Sequence, residues 1–311
     1  MANPASGSNQ PPTLNQQSPY MTPPPSENPG TMEELHKKCK DLFPLCFDGL
    51  KLMFPRELNR HFQVTHTLNM SSQMTGYRFG ATYVGTKQLS LTEAYPVMLA
   101  DTDLSGNVSA TVIHQFTDKI RCKFLSQIAQ NKFSAVQMTG EYRGRYSTSS
   151  LTLANPDILA GSGLIVASYL RKITPRLDLG VEIVQQFARQ MPGGVSSAVS
   201  YSARYSGQNF IASGSYGANS MHLCYYHKGL NNFQYGVEWE TNFRLQESVA
   251  AFAYQADLPT SVFRASIDTN WTVGAVLEKK LSPALPFTLA LSGMVNLVKS
   301  QSRVGIGLIL G

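Results

Sequence analysis

Carboxylates recur at alternate positions of strand-like runs in this 311-residue chain, and they are its clearest candidates for chemistry. Asp178 and Glu182 stand in LDLGVEIVQQF, Glu238 and Glu240 in FQYGVEWETNF, and Glu141, Asp268 and Glu278 in runs of the same kind. Each falls on the polar phase of its run, opposite the apolar residues. A row of such groups can hold basic side chains weakly and release them. An exposed pair contributes about 0–1 kcal/mol, and more where walls exclude water. The same phase also carries Arg78, Arg121, Lys123, Arg143, Arg204 and Arg264. Pairing with these bases, which would only hold strands in register, is the competing role.

Other chemistries find little support. The four cysteines, Cys39, Cys46, Cys122 and Cys224, form no CxxC pair and no spacing with histidine that suggests zinc. His66, His114, His222 and His227 are spread among different runs, so no metal site, proton relay or cofactor is expected. His66 and His114 fall on the apolar phase, an unusual place for a polar ring. There is no GxSxG elbow and no phosphate-binding loop, which argues against an enzyme. The net charge of +6 is spread out, and the densest basic run, His36 to Lys40, is too short to bind nucleic acid.

The elements that must position these residues follow from composition and period. Charged residues make up 15% of the chain, against about 25% for a soluble domain. No apolar run approaches the roughly 20 residues of a spanning helix, and 31 aromatic residues exclude a disordered chain. Residues 1–30 are rich in Pro, Ser, Asn and Gln with one charge, Glu27, and are expected to form a flexible tail. Thr31 and Glu34 make a capping box for a helix ending before Pro44. A second helical stretch is expected over 47–53, so that 31–60 is a helical segment in or near a lumen.

From about His61 the period becomes two and stays so, giving about eighteen strand-like runs in 61–311. In one of them Phe233, Tyr235, Val237, Trp239, Thr241 and Phe243 alternate with Gln234, Gly236, Glu238, Glu240 and Asn242. So many strands require a closed sheet or a sandwich. The polar phases carry Ser, Thr, Gly, Asn and Gln rather than Lys and Glu. Runs of roughly 9 to 12 residues are long enough to cross a bilayer at a tilt. Aromatics such as Tyr77, Phe133, Trp271 and Phe287 sit near run ends, as in interfacial girdles. The fold class is therefore an all-β transmembrane barrel, with its apolar phase toward lipid and its polar phase toward a lumen.

Several strings carry a family resemblance: Tyr77-Arg78-Phe79-Gly80, Tyr83 to Ser90, Gly140-Glu141-Tyr142-Arg143-Gly144, Asp268-Thr269-Asn270-Trp271 and Leu277-Glu278-Lys279-Lys280-Leu281. Over about Glu33 to Gly311 the chain resembles the pore-forming subunits of the TOM complex, the protein translocase of the mitochondrial outer membrane, within the eukaryotic porins. The resemblance implies a nineteen-stranded barrel with parallel first and last strands and a helix inside. One strand more than the direct count is implied, as if a short one were merged with its neighbour. The implied function is a channel importing unfolded mitochondrial precursor proteins, with the seven carboxylates attracting basic presequences.

Leu35, Leu42, Phe43 and Leu45, with Leu50, Leu52 and Met53, would then offer apolar surface inside the lumen, or merely brace the wall. Arg303, Gly305, Leu308 and Leu310 match the pattern by which mitochondrial barrels are recognised for outer-membrane assembly. The implied partners are presequence receptors, small single-helix TOM subunits, outer-membrane lipid and further copies of the pore; nucleic acid is not among them. The alternative is a metabolite or anion porin of the voltage-dependent anion channel type. Its lumen should be net basic, which the carboxylates oppose.

Overall fold

The computed structural model describes residues 28–310 except 73–74, 89–93, 130–131, 158–161, 188–193, 230–231 and 282–286. The expected tail therefore lies outside the described residues up to position 27. A 3-10 turn (Met32–Glu34) and a four-residue helix α1 (Lys37–Lys40) come first. The strands are β1 (Gly49–Asn59), β2 (Phe62–Met70), β3 (Thr75–Gln88), β4 (Ala94–Asp103), β5 (Val108–Thr117), β6 (Ile120–Ala129), β7 (Lys132–Arg143), β8 (Ser147–Asp157), β9 (Ser162–Thr174) and β10 (Leu177–Phe187). They continue with β11 (Val195–Ser206), β12 (Phe210–Gly217), β13 (Ser220–Lys228), β14 (Phe233–Asn242), β15 (Glu247–Leu258), β16 (Ser261–Asp268), β17 (Thr272–Lys280), β18 (Phe287–Asn296) and β19 (Gln301–Leu310).

Each strand pairs antiparallel with its neighbours in sequence, and β1 closes the ring by pairing parallel with β19, Gly49 against Gly305 through Met53 against Ile309. An odd number of up-and-down strands requires this, because the first and the last must run the same way. The direct count of eighteen runs after His61 matches β2–β19, so nothing was merged. The strand left out is β1, over residues expected to be helical. Leu50, Leu52 and Phe54 pair with Met70, Leu68 and His66, and this ladder outweighs a local helical preference that is worth little in a short segment. The barrel thus begins at Gly49, not at 61, and Leu50 and Leu52 face outward with those partners. Of the three, Met53 alone keeps to the inner phase.

The apolar phase points out. Phe233, Tyr235, Val237 and Trp239 are all exposed, whereas Gly236 between them is buried. The aromatics Phe133 and Trp271 stand exposed at strand ends, as interfacial positions require. Arg303 and Gly305 share the inner phase of β19, and Leu308 and Leu310 share its outer phase. His66 does face outward, where its Nδ1 meets the Tyr77 hydroxyl. His114, also outward, lies edge-on to Phe116 at 4.6 Å.

Candidate functional site

The site is the inner wall together with residues 28–48, which run along it. The expected long helix is replaced by linked tight turns. Hydrogen bonds from Glu34 to Thr31, Leu35 to Met32, Leu42 to Cys39 and Phe43 to Lys40 span three residues. Those from Lys40 to His36 and from Asp41 to Lys37 span four. Glu34 does reach back to the Thr31 amide, 3.3 Å away. Residues 28–30 are also seated, although they were assigned to the tail. The Asn28 side chain donates to the Gly144 carbonyl at 2.6 Å, and Arg204 donates to the Pro29 carbonyl.

Wall contacts explain why the helix is short. A Cβ on Gly236 would come within 2.9 Å of Leu42 Cδ1 and 3.0 Å of Cys39 Sγ. One on Gly305 would run into Phe47. Glycine on the polar phase thus makes a groove in which the segment lies. Leu35 and Leu42 are buried at 3% and 2% exposure, so they brace the segment; Leu45, at 90%, projects into the lumen. Phe43 is intermediate. The wall also turns apolar side chains to the lumen, among them Val97, Leu99, Ile113 and Leu125, which share the phase of Asp101 and Asp103.

The seven carboxylates separate into four kinds. Three are held by wall bases. Glu141 lies 3.1 Å from Arg143, Glu278 lies 3.3 Å from Arg264, and Asp178 takes two guanidinium contacts from Arg204 at 2.9 and 2.7 Å. Asp268 accepts the Thr272 amide at 2.8 Å and so fixes the turn between β16 and β17. Glu238 and Glu240 hold the segment: Lys40 Nζ lies 3.7 and 3.8 Å from them, and His222 Nε2 lies 2.6 and 3.3 Å away. Glu182 has no ion pair or hydrogen bond among the described residues. Glu33 of the segment lies close by and pairs with Lys123 at 3.6 Å.

Two further acids were missed, Asp101 and Asp103. They line a recess of about 780 Å³ with Lys51, Thr67, Asn69 and Arg78, on wall that the segment leaves open. Their run, AYPVMLADTD, puts leucine and aspartate on one phase, so alternation gave no signal. The structure also gathers His36, Cys39, His222 and Cys224 beneath the segment. The rings of His36 and His222 are 4.3 Å apart, and His36 Nδ1 contacts Ser213 Oγ at 2.9 Å. Burial, then the neighbouring His222 and Lys40, push the His36 imidazole down to about 4, so it is neutral near pH 7. The repeated short spacings, His36-x-x-Cys39 and His222-x-Cys224, were the available sequence signal.

The sequence profile of the eukaryotic porin family matches residues 28–305. A mitochondrial import receptor subunit TOM40 homolog from Caenorhabditis elegans is 52% identical over 292 residues, covering 93% of this chain and 97% of the relative. The chain belongs to the eukaryotic porins, in their TOM40 family. The human TOM40 homolog is 47% identical over 287 residues, 91% of this chain and 78% of that protein. Among solved structures, a mutant of Rh. blastica porin aligns at 12% identity and a TM-score of 0.47, over 74% of this chain and 95% of that one. For a TOM40-family barrel the inner wall is the surface that any passing solute meets.

Proposed function

We infer that this chain is the protein-conducting channel of a mitochondrial outer-membrane import receptor, passing unfolded precursor polypeptides through its lumen. The observation that carries the reading is the 52% identity to an import receptor subunit, extending over 93% of this chain. The geometry supplies a mechanism. Asp101 offers negative charge in the open recess, and Glu182 offers it beside Glu33 at the edge of the segment. The Val97–Leu99–Ile113–Leu125 patch offers apolar surface beside Asp101, while Asp103 is engaged by the turn amides of Ser105 and Asn107. A basic amphipathic presequence needs both faces met. Each contact is solvated and therefore weak, so the chain can move on.

The seven-carboxylate track is retained as a proposal with divided roles. Glu182, Glu238 and Glu240 meet cargo, whereas Glu141, Asp178, Asp268 and Glu278 hold wall geometry. Asn28 lies at the rim formed by the turn after β7, the same rim at which β19 ends. Residues 1–27, outside the described residues, are proposed to receive emerging chains. Partners are presequence receptors, small single-helix subunits and further copies of the pore, joined through the lipid-facing wall.

The test is reconstitution of the purified chain in a planar bilayer with a basic presequence peptide. Cation preference and peptide-dependent block support import. Anion preference with no block supports the metabolite porin. Deleting residues 1–27 should leave conductance intact and slow precursor transfer; unchanged transfer would remove the receiving role.

A further inference from the structure

We propose that His36 and Cys39 of the lumen segment, with His222 and Cys224 of β13, form a binding site for a thiophilic divalent cation of the zinc class, which clamps the segment to the barrel wall. The ligand atoms of His36, His222 and Cys224 all lie within 4.8 Å of one another. Cys224 Sγ is 3.3 Å from His222 Nε2. A tetrahedral ion with arms of about 2.0–2.3 Å needs ligand atoms about 3.4–3.8 Å apart, so small side-chain shifts suffice. Cys39 Sγ lies beside Cys224 and contacts the Tyr225 and Val237 carbonyls at 3.6 and 3.5 Å, and the two thiols are buried at 3% and 4% exposure. Two nitrogens and one sulphur therefore converge from two elements, and Cys39 reaches them as the fourth ligand once its thiol leaves the Tyr225 and Val237 carbonyls.

Three features favour a ligand over inert packing. His36 Nε2 is buried and has no hydrogen-bond partner among the described residues. Its other nitrogen is held by Ser213, which fixes the ring in the way an outer contact fixes a metal-bound histidine. The remaining donors meet around one proton: His222 Nε2 faces Glu238 Oε1 at 2.6 Å and Glu240 Oε1 at 3.3 Å. A cation would displace the two thiol protons to solvent, while His222 would bind through Nε2 with its ring proton carried on Nδ1. Lys40 supplies the positive charge beside Glu238 in the metal-free arrangement and can turn into the lumen, being half exposed. Sulphur and imidazole donors select zinc-type ions over calcium or magnesium, which prefer oxygen.

The site draws on the fold alone and stands apart from the transport reading. Its test uses the full chain, refolded in detergent micelles and titrated with cobalt(II) as the spectroscopic substitute for zinc. Expected are thiolate-to-cobalt charge-transfer absorption and tetrahedral ligand-field bands, saturating at one ion per chain and displaced by zinc. Cys224→Ser should weaken the charge-transfer band, the Cys39→Ser, Cys224→Ser double variant should abolish it, and His36→Ala should weaken binding by about tenfold or more. Replacing Cys46 and Cys122 by serine should change nothing. A spin label at Lys38 should lose mobility when zinc is added to the otherwise unaltered chain and not in Cys224→Ser, provided circular dichroism shows both barrels folded. Absence of the bands, or a charge-transfer band that survives in the Cys39→Ser, Cys224→Ser double variant, would overturn the site. Zinc binding that leaves the label unchanged would overturn the clamp.

Discussion

Leu42 of the lumen segment lies directly on Gly236 of β14, so close that a Cβ there would stand 2.9 Å from its Cδ1. The contact has no slack, because Cys39 Sγ closes the other side at 3.0 Å. Gly236→Val should therefore lift the segment off the wall and leave the strand ladder in place. Overpacking of this kind costs about 1–3 kcal/mol. A spin label at Lys40 would report the release as increased mobility; an immobile label would show that the segment is not held by this groove.

Glu182 and the Glu238–Glu240 pair should respond differently to substitution. Glu182→Gln removes a carboxylate that has no ion-pair partner among the described residues, so the segment should stay seated. Presequence affinity should fall by about threefold, the equivalent of one exposed contact. Reversing Glu238 and Glu240 to lysine also removes the partners of Lys40. There, presequence affinity should fall by about tenfold and the segment should loosen. Equal effects of the two changes on segment mobility would contradict the division of roles.

Asp178 should prove structural. It is 2% exposed and sits against Arg204, which also reaches the Pro29 carbonyl. Asp178→Asn removes the charge partner of Arg204, whose side chain is 17% exposed and keeps the Pro29 carbonyl, and the loss should cost about 1–3 kcal/mol. The readout is the urea midpoint of the refolded barrel, with single-channel cation preference measured beside it. A lowered midpoint with unchanged preference is expected; a normal midpoint with altered preference would move Asp178 into the cargo path.

Docking of the segment should weaken in acid. The folded His36 value of about 4 lies below the ordinary 6.5, so the free segment binds the proton more readily than the docked one. The neutral ring's contribution is fully present above about 6.5 and is lost as the pH falls from there toward 4. Of the facing groups, His222, Lys40 and Arg204 disfavour the charged His36 ring and Glu238 favours it. Label mobility at Lys38 followed from pH 7.5 to 4.5 should rise, and His36→Gln should flatten the curve.

The reading of inside and outside can be checked at neighbouring residues of β14. A spin label replacing Trp239 should be accessible to oxygen dissolved in lipid, and one replacing Glu238 to a water-soluble nickel chelate. The reverse pattern would invert the barrel and remove its lumen chemistry.

The sequence by itself determined the barrel, because a two-residue period propagated over eighteen strands leaves only one way to separate lipid from water. It determined the face of the seven carboxylates of the alternating runs for the same reason, though not of Asp101 and Asp103. Near Gly49 the period failed as a guide. β1 is defined by hydrogen bonds to β2 and β19, and β19 lies some 250 residues further along the chain. Tertiary structure alone decided which acids are free and which are paired, since Arg204 reaches Asp178 from the next strand and Lys40 reaches Glu238 from the lumen. It also decided that His36, Cys39, His222 and Cys224 meet. Closure of the ring folds residues 28–48 back along the inner wall, and no local pattern records which wall residues that segment will cover.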